Sequence, residues 1–380
     1  MDPSHGGTDP GPYGRAWVEI NPAALISNLD VIGRHAGEGV RVIPMVKADA
    51  YGLGVQAVVR LLESRNPYGF GVATVEEGRQ LRALGVTRPI MIYSPVPPGQ
   101  HGIALVHDLI LSLSSLSEVR TLGEAVGVGS RPVPVQIEVD TGMGRAGFPS
   151  ADVDEWWPRV RDSSLLSVAG VWTHLHSADQ PDLDASRRQI TTFEALCRRL
   201  DGLPDGALIH VANSAGGLRL ESEVANATRP GYFLYGGRVG DDAAEPEPVI
   251  AVRARVALVR QVPAGATLGY GATYRARRAE RWATVAIGYG DGLPRALGNR
   301  GHALVRGRRA PIIGRISMDA TVVDISDVAA VEPGEAVTFI GSDAGAQIAL
   351  DEVADTVGTI GYEILTGLSP RLPRVWARQP

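Results

Sequence analysis

The stretch Val42-Ile43-Pro44-Met45-Val46-Lys47-Ala48-Asp49-Ala50-Tyr51-Gly52-Leu53-Gly54 decides the fold. A short apolar run ends on a lysine and a glycine-punctuated turn follows. Val55, Val58, Val59, Leu61 and Leu62 then recur at helical spacing. Strand, turn and helix in that order make one unit of an α/β fold. A lysine at the C-terminal end of a parallel strand stands at the mouth of a barrel, where such folds do their chemistry. It is also a side chain that forms Schiff bases with carbonyl compounds. A lysine in such a loop is more often ordinary surface, so the rest of the chain has to decide.

The unit recurs along the sequence. Further strand candidates are Phe70–Val72, Ile90–Tyr93, Leu109–Leu113, Val133–Val139, Val168–Trp172, Leu208–Val211 and Phe233–Tyr235, with Val42–Val46 as the first. Helical patterns such as Glu76–Leu84 and Gln189–Leu200 lie between them. Ala16–Ile20 is a short strand, and Asn21-Pro22 looks like an N-cap with proline at the first helical position. About eight such units predict a (β/α)8 TIM-type barrel over residues 15–245. No G-x-G-x-x-G follows the first strand, which disfavours an open dinucleotide-binding sheet.

Near residue 245 the pattern changes. Asp241 to Pro248 is an acidic, proline-containing linker. Val252–Val262, Trp282–Ile287, His302–Val305, Thr321–Ile325 and Ala336–Ile340 then read as strands. A mainly β C-terminal domain over 246–380 is expected, with a helix at Leu350–Val357 and Val375-Trp376 closing the sheet. Residues 1–14, rich in Gly and Pro, read as a disordered tail.

Composition narrows the class. Of 380 residues 44% are hydrophobic and 21% charged, enough to bury a sizeable core. The net charge of −5 and the scattered arginines argue against a nucleic-acid surface. Cys197 is the only cysteine, so no internal disulfide forms. No long apolar run and no signal-peptide pattern stand out, so no membrane association and a cytoplasmic location are expected. No metal site is expected.

The lysine stretch resembles the cofactor-lysine motif of the alanine racemases, barrel enzymes that use pyridoxal phosphate. Further segments resemble that family in the same order: Asp140-Thr141-Gly142-Met143-Gly144-Arg145, Thr173-His174, Ala212-Asn213-Ser214-Ala215, Arg229-Pro230-Gly231, Leu268-Gly269-Tyr270-Gly271, Ile287-Gly288-Tyr289-Gly290-Asp291-Gly292, Ser317-Met318-Asp319 and Gly361-Tyr362-Glu363. The resemblance implies a homodimer that interconverts L- and D-alanine in active sites shared between subunits, supplying D-alanine for a bacterial cell wall.

It also implies roles. Lys47 would hold the cofactor and serve one face of Cα, with Tyr270 of a second copy serving the other. Ser214 at a strand-to-helix junction and Gly231, where backbone can approach closely, suit the cofactor phosphate. By resemblance Tyr51, Tyr362 and the N–H groups of Gly231 and Tyr232 complete that cradle, with Asn213 beside it. Arg229 would face the pyridine nitrogen without donating a full proton to it, since its pKa lies above about 12. His174 would link Tyr270 to Arg229. Arg145 and Met318 would hold the substrate carboxylate. Tyr289 would narrow the pocket, favouring alanine and leaving serine open.

One position departs from the pattern. Glu138 stands where many family members carry a modified lysine, and it is expected to pair with Arg145 directly or through water. Two other readings are weighed. A pyridoxal-phosphate decarboxylase would need a cysteine in the C-terminal domain, which is lacking here. A cofactor carrier would lack the β domain and Tyr270.

Overall fold

A computed structural model describes residues 14–126 and 131–377, and the tail read over 1–14 lies outside them except for Gly14. The chain divides into two compact units, residues 24–247 and residues 1–23 with 248–380.

In the first unit, six parallel strands pair in the order Phe70–Val72, Ile90–Ile92, Leu109–Leu113, Val133–Asp140, Leu166–Trp172 and Leu208–His210. Arg41–Val42 pairs in parallel with Ala227–Thr228, and single bridges join Met45 to Gly71 and Ala212 to Thr228. Those contacts close the ring, so eight parallel strands form a barrel. Gly71 is needed at the first bridge, because a Cβ there would lie 2.3 Å from Met45 Sδ.

The helices follow their sequence patterns. Val55–Glu63 buries Val55, Val58, Val59 and Leu62. Pro22–Ala36 opens with Asn21 Oδ1 accepting from the Ala23 amide at 3.1 Å. Val75–Ala83 starts on a capping box between Thr74 and Glu77. Among the described residues no helix is long and apolar enough to cross a membrane.

The eighth strand differs from expectation. It is Ala227–Thr228, whereas Phe233–Tyr235 falls within a 3-10 turn, Tyr232–Tyr235. Pro230 cannot donate to a ladder and Gly231 turns the chain. All four turn residues are buried. A short apolar run with every side chain inside has no period to separate strand from turn. Tyr235 anchors it by donating from its hydroxyl to the Met45 carbonyl at 2.8 Å.

The second unit is antiparallel apart from its last strand. Ile250–Val262, Glu280–Val285, Thr321–Asp324, Arg308–Ile313, His302–Val305 and Ala336–Asp343 pair in that order, and the last pairs back with the first. A second, smaller ring results. Its inward residues, including Ala254, Ala283, Val285, Ala303, Val323, Val337 and Phe339, are buried.

The N-terminal strand was expected with the barrel, in residues 15–245. Ala16–Ile20 instead pairs antiparallel with Ile250–Val262 and parallel with Arg374–Trp376. Its pairing partner lies more than two hundred residues away, which local periodicity cannot reveal. Trp17 on this strand is fully buried. Trp17→Ala is therefore expected to lower unfolding stability by about 3–5 kcal/mol in urea titrations. A loss below about 1 kcal/mol, the scale of a surface change, would contradict this packing.

Candidate active site

The C-terminal ends of the barrel strands gather the chemistry. Lys47 follows the first strand, Arg145 follows Val133–Asp140, and His174 follows Leu166–Trp172. Asn213 and Ser214 follow Leu208–His210, while Arg229 and Gly231 follow Ala227–Thr228. These groups feel one another's charge. The desolvating protein wall lowers the Lys47 pKa, and Arg145 and Arg229 lower it further while Glu77 opposes them. Burial, with Arg229, Arg145 and Lys47 nearby, pushes the His174 imidazole down to about 3.

A simple count adds weight to this lysine. Lys47 is the only lysine among 37 Lys and Arg residues. The turn after it is also unusual. Ala48, Asp49, Ala50 and Tyr51 have φ of 52°, 54°, 54° and 55°, four successive left-handed residues without a glycine. Such conformations cost roughly 1–2 kcal/mol per residue. The turn closes with Ala50 N donating to Val46 O at 3.0 Å and Gly52 N to Ala48 O at 2.8 Å. The Asp49 carboxylate accepts from Val55 N at 2.8 Å, starting the next helix.

Arg229 is buried at 4% exposure and has no carboxylate within ion-pair distance among the described residues. Its guanidinium donates to Thr173 O at 2.7 Å, to His210 O at 3.1 Å and to His210 Nδ1. It also lies over the Trp172 ring at 4.9 Å. Burial lowers its pKa to about 10, so it stays charged at neutral pH.

His210 was not singled out from the sequence. Because Nδ1 accepts from Arg229, its proton sits on Nε2, which donates to Gln136 Oε1 at 2.7 Å. Burial and Arg229 hold this imidazole well below its usual pKa, so it is neutral. The ring bonded to Arg229 is thus His210, while His174 lies close enough to feel the Arg229 charge. Arg229 leaves Ala227–Thr228 facing inward, where the neighbouring strand presents His210.

Ser214, Gly231 and Tyr51 come together nearby. Ser214 Oγ accepts from Gly231 N at 2.8 Å and from Phe233 N at 3.3 Å. Tyr51 is buried and stacks on Tyr235 with centroids 4.4 Å apart. A Cβ at Gly231 would lie 2.2 Å from the Tyr51 hydroxyl, so only glycine fits. Tyr232 follows Gly231 directly and is buried. Asn213 has a structural task, accepting from Gly216 N at 2.8 Å as the N-cap of Ser214–Arg219.

Asp140 shapes the loop that carries Arg145, accepting from Gly142 N at 2.9 Å and Gly144 N at 3.1 Å. The direct pair expected between Glu138 and Arg145 is not made. Glu138, 4% exposed, accepts from Ser114 Oγ at 2.8 Å instead. Burial raises its pKa; the Ser114 bond and the charges of Arg145 and Arg229 oppose that shift. Three cations around one mouth, two of them arginines without ion pairs among the described residues, suit a ligand carrying phosphate and carboxylate.

Comparison with known proteins matches this arrangement. Residues 20–239 match the alanine racemase N-terminal domain family, and residues 249–376 match its C-terminal domain. The chain belongs to the alanine racemase family. The alanine racemase of Geobacter sulfurreducens is 36% identical over 368 residues, covering 94% of this chain and 96% of that one. That of Acidiphilium cryptum is 39% identical over 363 residues, covering 94% and 98%. Two crystal structures superpose closely. The alanine racemase of E. faecalis has a TM-score of 0.89 at 30% identity, covering 97% of this chain and 99% of that one. That of Bartonella henselae, with covalently bound pyridoxal phosphate, has a TM-score of 0.88 at 28% identity, covering 96% and 99%.

The remaining racemase motifs lie in the β unit. Tyr270 is 69% exposed on a short 3-10 turn flanked by Gly269 and Gly271, both at positive φ. Tyr274, four residues on, is a different case. Its hydroxyl donates to Glu280 at 3.1 Å, its ring packs against Trp282, and its pKa is pushed up to about 12. Tyr289 and Met318 are adjacent, with Tyr289 N donating to Ser317 O at 3.1 Å and Gly290 N to Met318 O at 2.9 Å.

Below them Asp291, fully buried, takes both Arg15 nitrogens at 2.9 and 2.7 Å and the Gly288 amide at 3.0 Å. Arg371 approaches Asp291 at 3.5 Å and binds Asp319 at 2.6 Å, which ties the two loops together. Tyr362 is exposed on the helix Gly361–Thr366.

The two histidines give a pH prediction. Their folded pKa values lie below the ordinary 6.5, so the unfolded chain binds more protons between about 3 and that value. Stability is then full above pH 6.5 and falls as pH drops through this window. Urea midpoints at pH 7.5 and pH 5 should show the loss, and His174→Gln should reduce it. An equal loss in wild type and variant would contradict the His174 assignment.

Proposed function

We propose that Lys47 and Tyr270 carry the two proton transfers by which this alanine racemase interconverts L- and D-alanine with bound pyridoxal phosphate. The observation that carries the reading is Lys47 itself, the only side-chain amine in the chain, set at the barrel mouth with a lowered pKa. When bound, pyridoxal phosphate supplies an aldehyde for the amino group and an electron-withdrawing ring that acidifies the Cα proton.

The chain's own groups do the rest. A lowered pKa keeps more of Lys47 as the neutral amine that can accept the Cα proton near pH 7. Ser214, Tyr51, Tyr362 and the amides of Gly231 and Tyr232 would hold the phosphate. Arg229, charged and backed by a neutral His210, keeps its own proton and stabilises negative charge beside it. Arg145 would fork onto the substrate carboxylate, with Met318 adding a backbone N–H. In the assembled site, rings of Tyr270, Tyr289 and Tyr362 would leave space for a small side chain, alanine before serine.

Tyr270 is assigned to a second copy. In one chain Tyr270, Tyr289, Met318, Ile360 and Tyr362 are all exposed on the β unit, apolar side chains that a homodimer with shared active sites would cover. The lone Cys197 and the lack of a spanning helix among the described residues support a cytosolic enzyme. In a bacterium its product would serve cell-wall synthesis.

The test is racemisation of L- and D-alanine by the purified protein with pyridoxal phosphate, beside Lys47→Ala and Tyr270→Phe, with L-serine in parallel. Lys47→Ala should lower kcat by about 10²–10⁴-fold or more, and Tyr270→Phe should impair one direction more than the other. Full activity in Lys47→Ala would overturn the reading. Faster turnover of serine would move the substrate assignment.

A further inference from the structure

We infer that Glu77 is a positioning residue for Lys47, holding the left-handed turn through which the barrel presents that lysine. This deepens the proposed function and rests on Lys47 being the reacting amine. The turn Ala48–Tyr51 consists of four successive residues in a region that non-glycine residues avoid. Strain of this kind persists only where the surroundings over-determine it. Most bonds within the turn are local and would be lost together if the backbone relaxed.

The bond at its start is different. Glu77 Oε1 accepts from the amide of Ala48, the residue after Lys47, at 2.6 Å. The other oxygen of the same carboxylate accepts from Ala73 N at 2.7 Å and Thr74 N at 3.2 Å. Glu77 in turn donates its amide to Thr74 Oγ1 at 3.3 Å.

One carboxylate therefore joins the start of the strained turn to the start of the helix Val75–Ala83. That helix follows Phe70–Val72, the strand bridged to Met45 and accepting from Val46 N at 2.8 Å through Gly71 O. The backbone is thus held on both sides of Lys47, by Gly71 at Val46 and by Glu77 at Ala48. Fixing the Ala48 amide fixes the peptide plane after Lys47 and hence the direction of its side chain. The charge of Glu77 also acts on the Lys47 ammonium, against that of Arg145. The neighbouring Glu76 does none of this: it accepts from Gln100 at 2.9 Å on the outside of the helix.

The experiment compares holoenzymes of wild type, Glu77→Gln, Glu77→Asp and Glu76→Gln. Glutamine places a donor where one oxygen accepted, and aspartate is too short to reach both segments. In both Glu77 variants kcat should fall by about tenfold to a hundredfold with KM for alanine nearly unchanged. Amide exchange followed by mass spectrometry should quicken across residues 47–54 in the same two proteins, while Glu76→Gln matches wild type in both readouts. If Glu77→Gln does not fold, Glu77→Asp carries the test.

A fall in Tm alone, with kcat and exchange over 47–54 unchanged, would make Glu77 an ordinary helix cap and overturn the inference. The exchange readout does not depend on what Lys47 does chemically. Failure of the clamp and failure of the Lys47 assignment are therefore told apart.

Discussion

Closure of the barrel by its last strand is the constraint on which the site depends. Ala227–Thr228 pairs with Arg41–Val42, Ile43 N donates to Thr228 O at 2.9 Å, and Met45 N donates to Pro230 O at 2.8 Å. Those few bonds bring Arg229-Pro230-Gly231 beside the segment that ends in Lys47, although nearly two hundred residues separate them in sequence. The amine, the buried guanidinium and the glycine under Tyr51 become neighbours only because the ring closes. A long-range pairing of this kind has a high entropic cost, which the inner core residues Ile43, Met91, Leu208 and Ala227 help to offset.

Several arginines away from the barrel mouth are matched with acids, and among the described residues the two at the mouth are not. In the β unit Arg15 and Arg371 are matched with Asp291 and Asp319. On the outside of the barrel unit Arg65, Arg88 and Arg161 likewise bind carboxylates. At the mouth, Arg145 and Arg229 have no such partner among the described residues, and Glu138 is turned to Ser114. Arg145 is exposed, but Arg229 is buried, and an unmatched buried cation is unfavourable by itself and becomes favourable when an anionic ligand arrives. The site therefore stores its electrostatic preference for the ligand in groups that the rest of the fold leaves unpaired.

Much of this was legible in the sequence. The lysine stretch and the Asp140–Arg145, Ser214, Arg229 and Gly231 segments carry short-range signals, and most barrel strands lie close to where apolar runs placed them. What was not legible depended on distance or on backbone shape. The N-terminal strand pairs with residues far along the chain. The eighth strand is two residues long and hidden beside a stronger apolar run. His210 looked like part of a strand, and only the pairing of its strand with Trp172 and the position of Arg229 reveal its bond. The left-handed turn falls on Ala, Asp, Ala and Tyr, residue types that give no warning of positive φ. That Lys47 is the only lysine is legible in the sequence as a bare count.

That count also makes the central claim directly testable. Borohydride reduction of the holoenzyme fixes pyridoxal phosphate to whichever amine holds it, and peptide mapping by mass spectrometry then locates the label. The account predicts one label per chain, on the peptide containing Lys47. A label on the amino terminus alone, or an active enzyme that retains its cofactor yet takes no label, would contradict it.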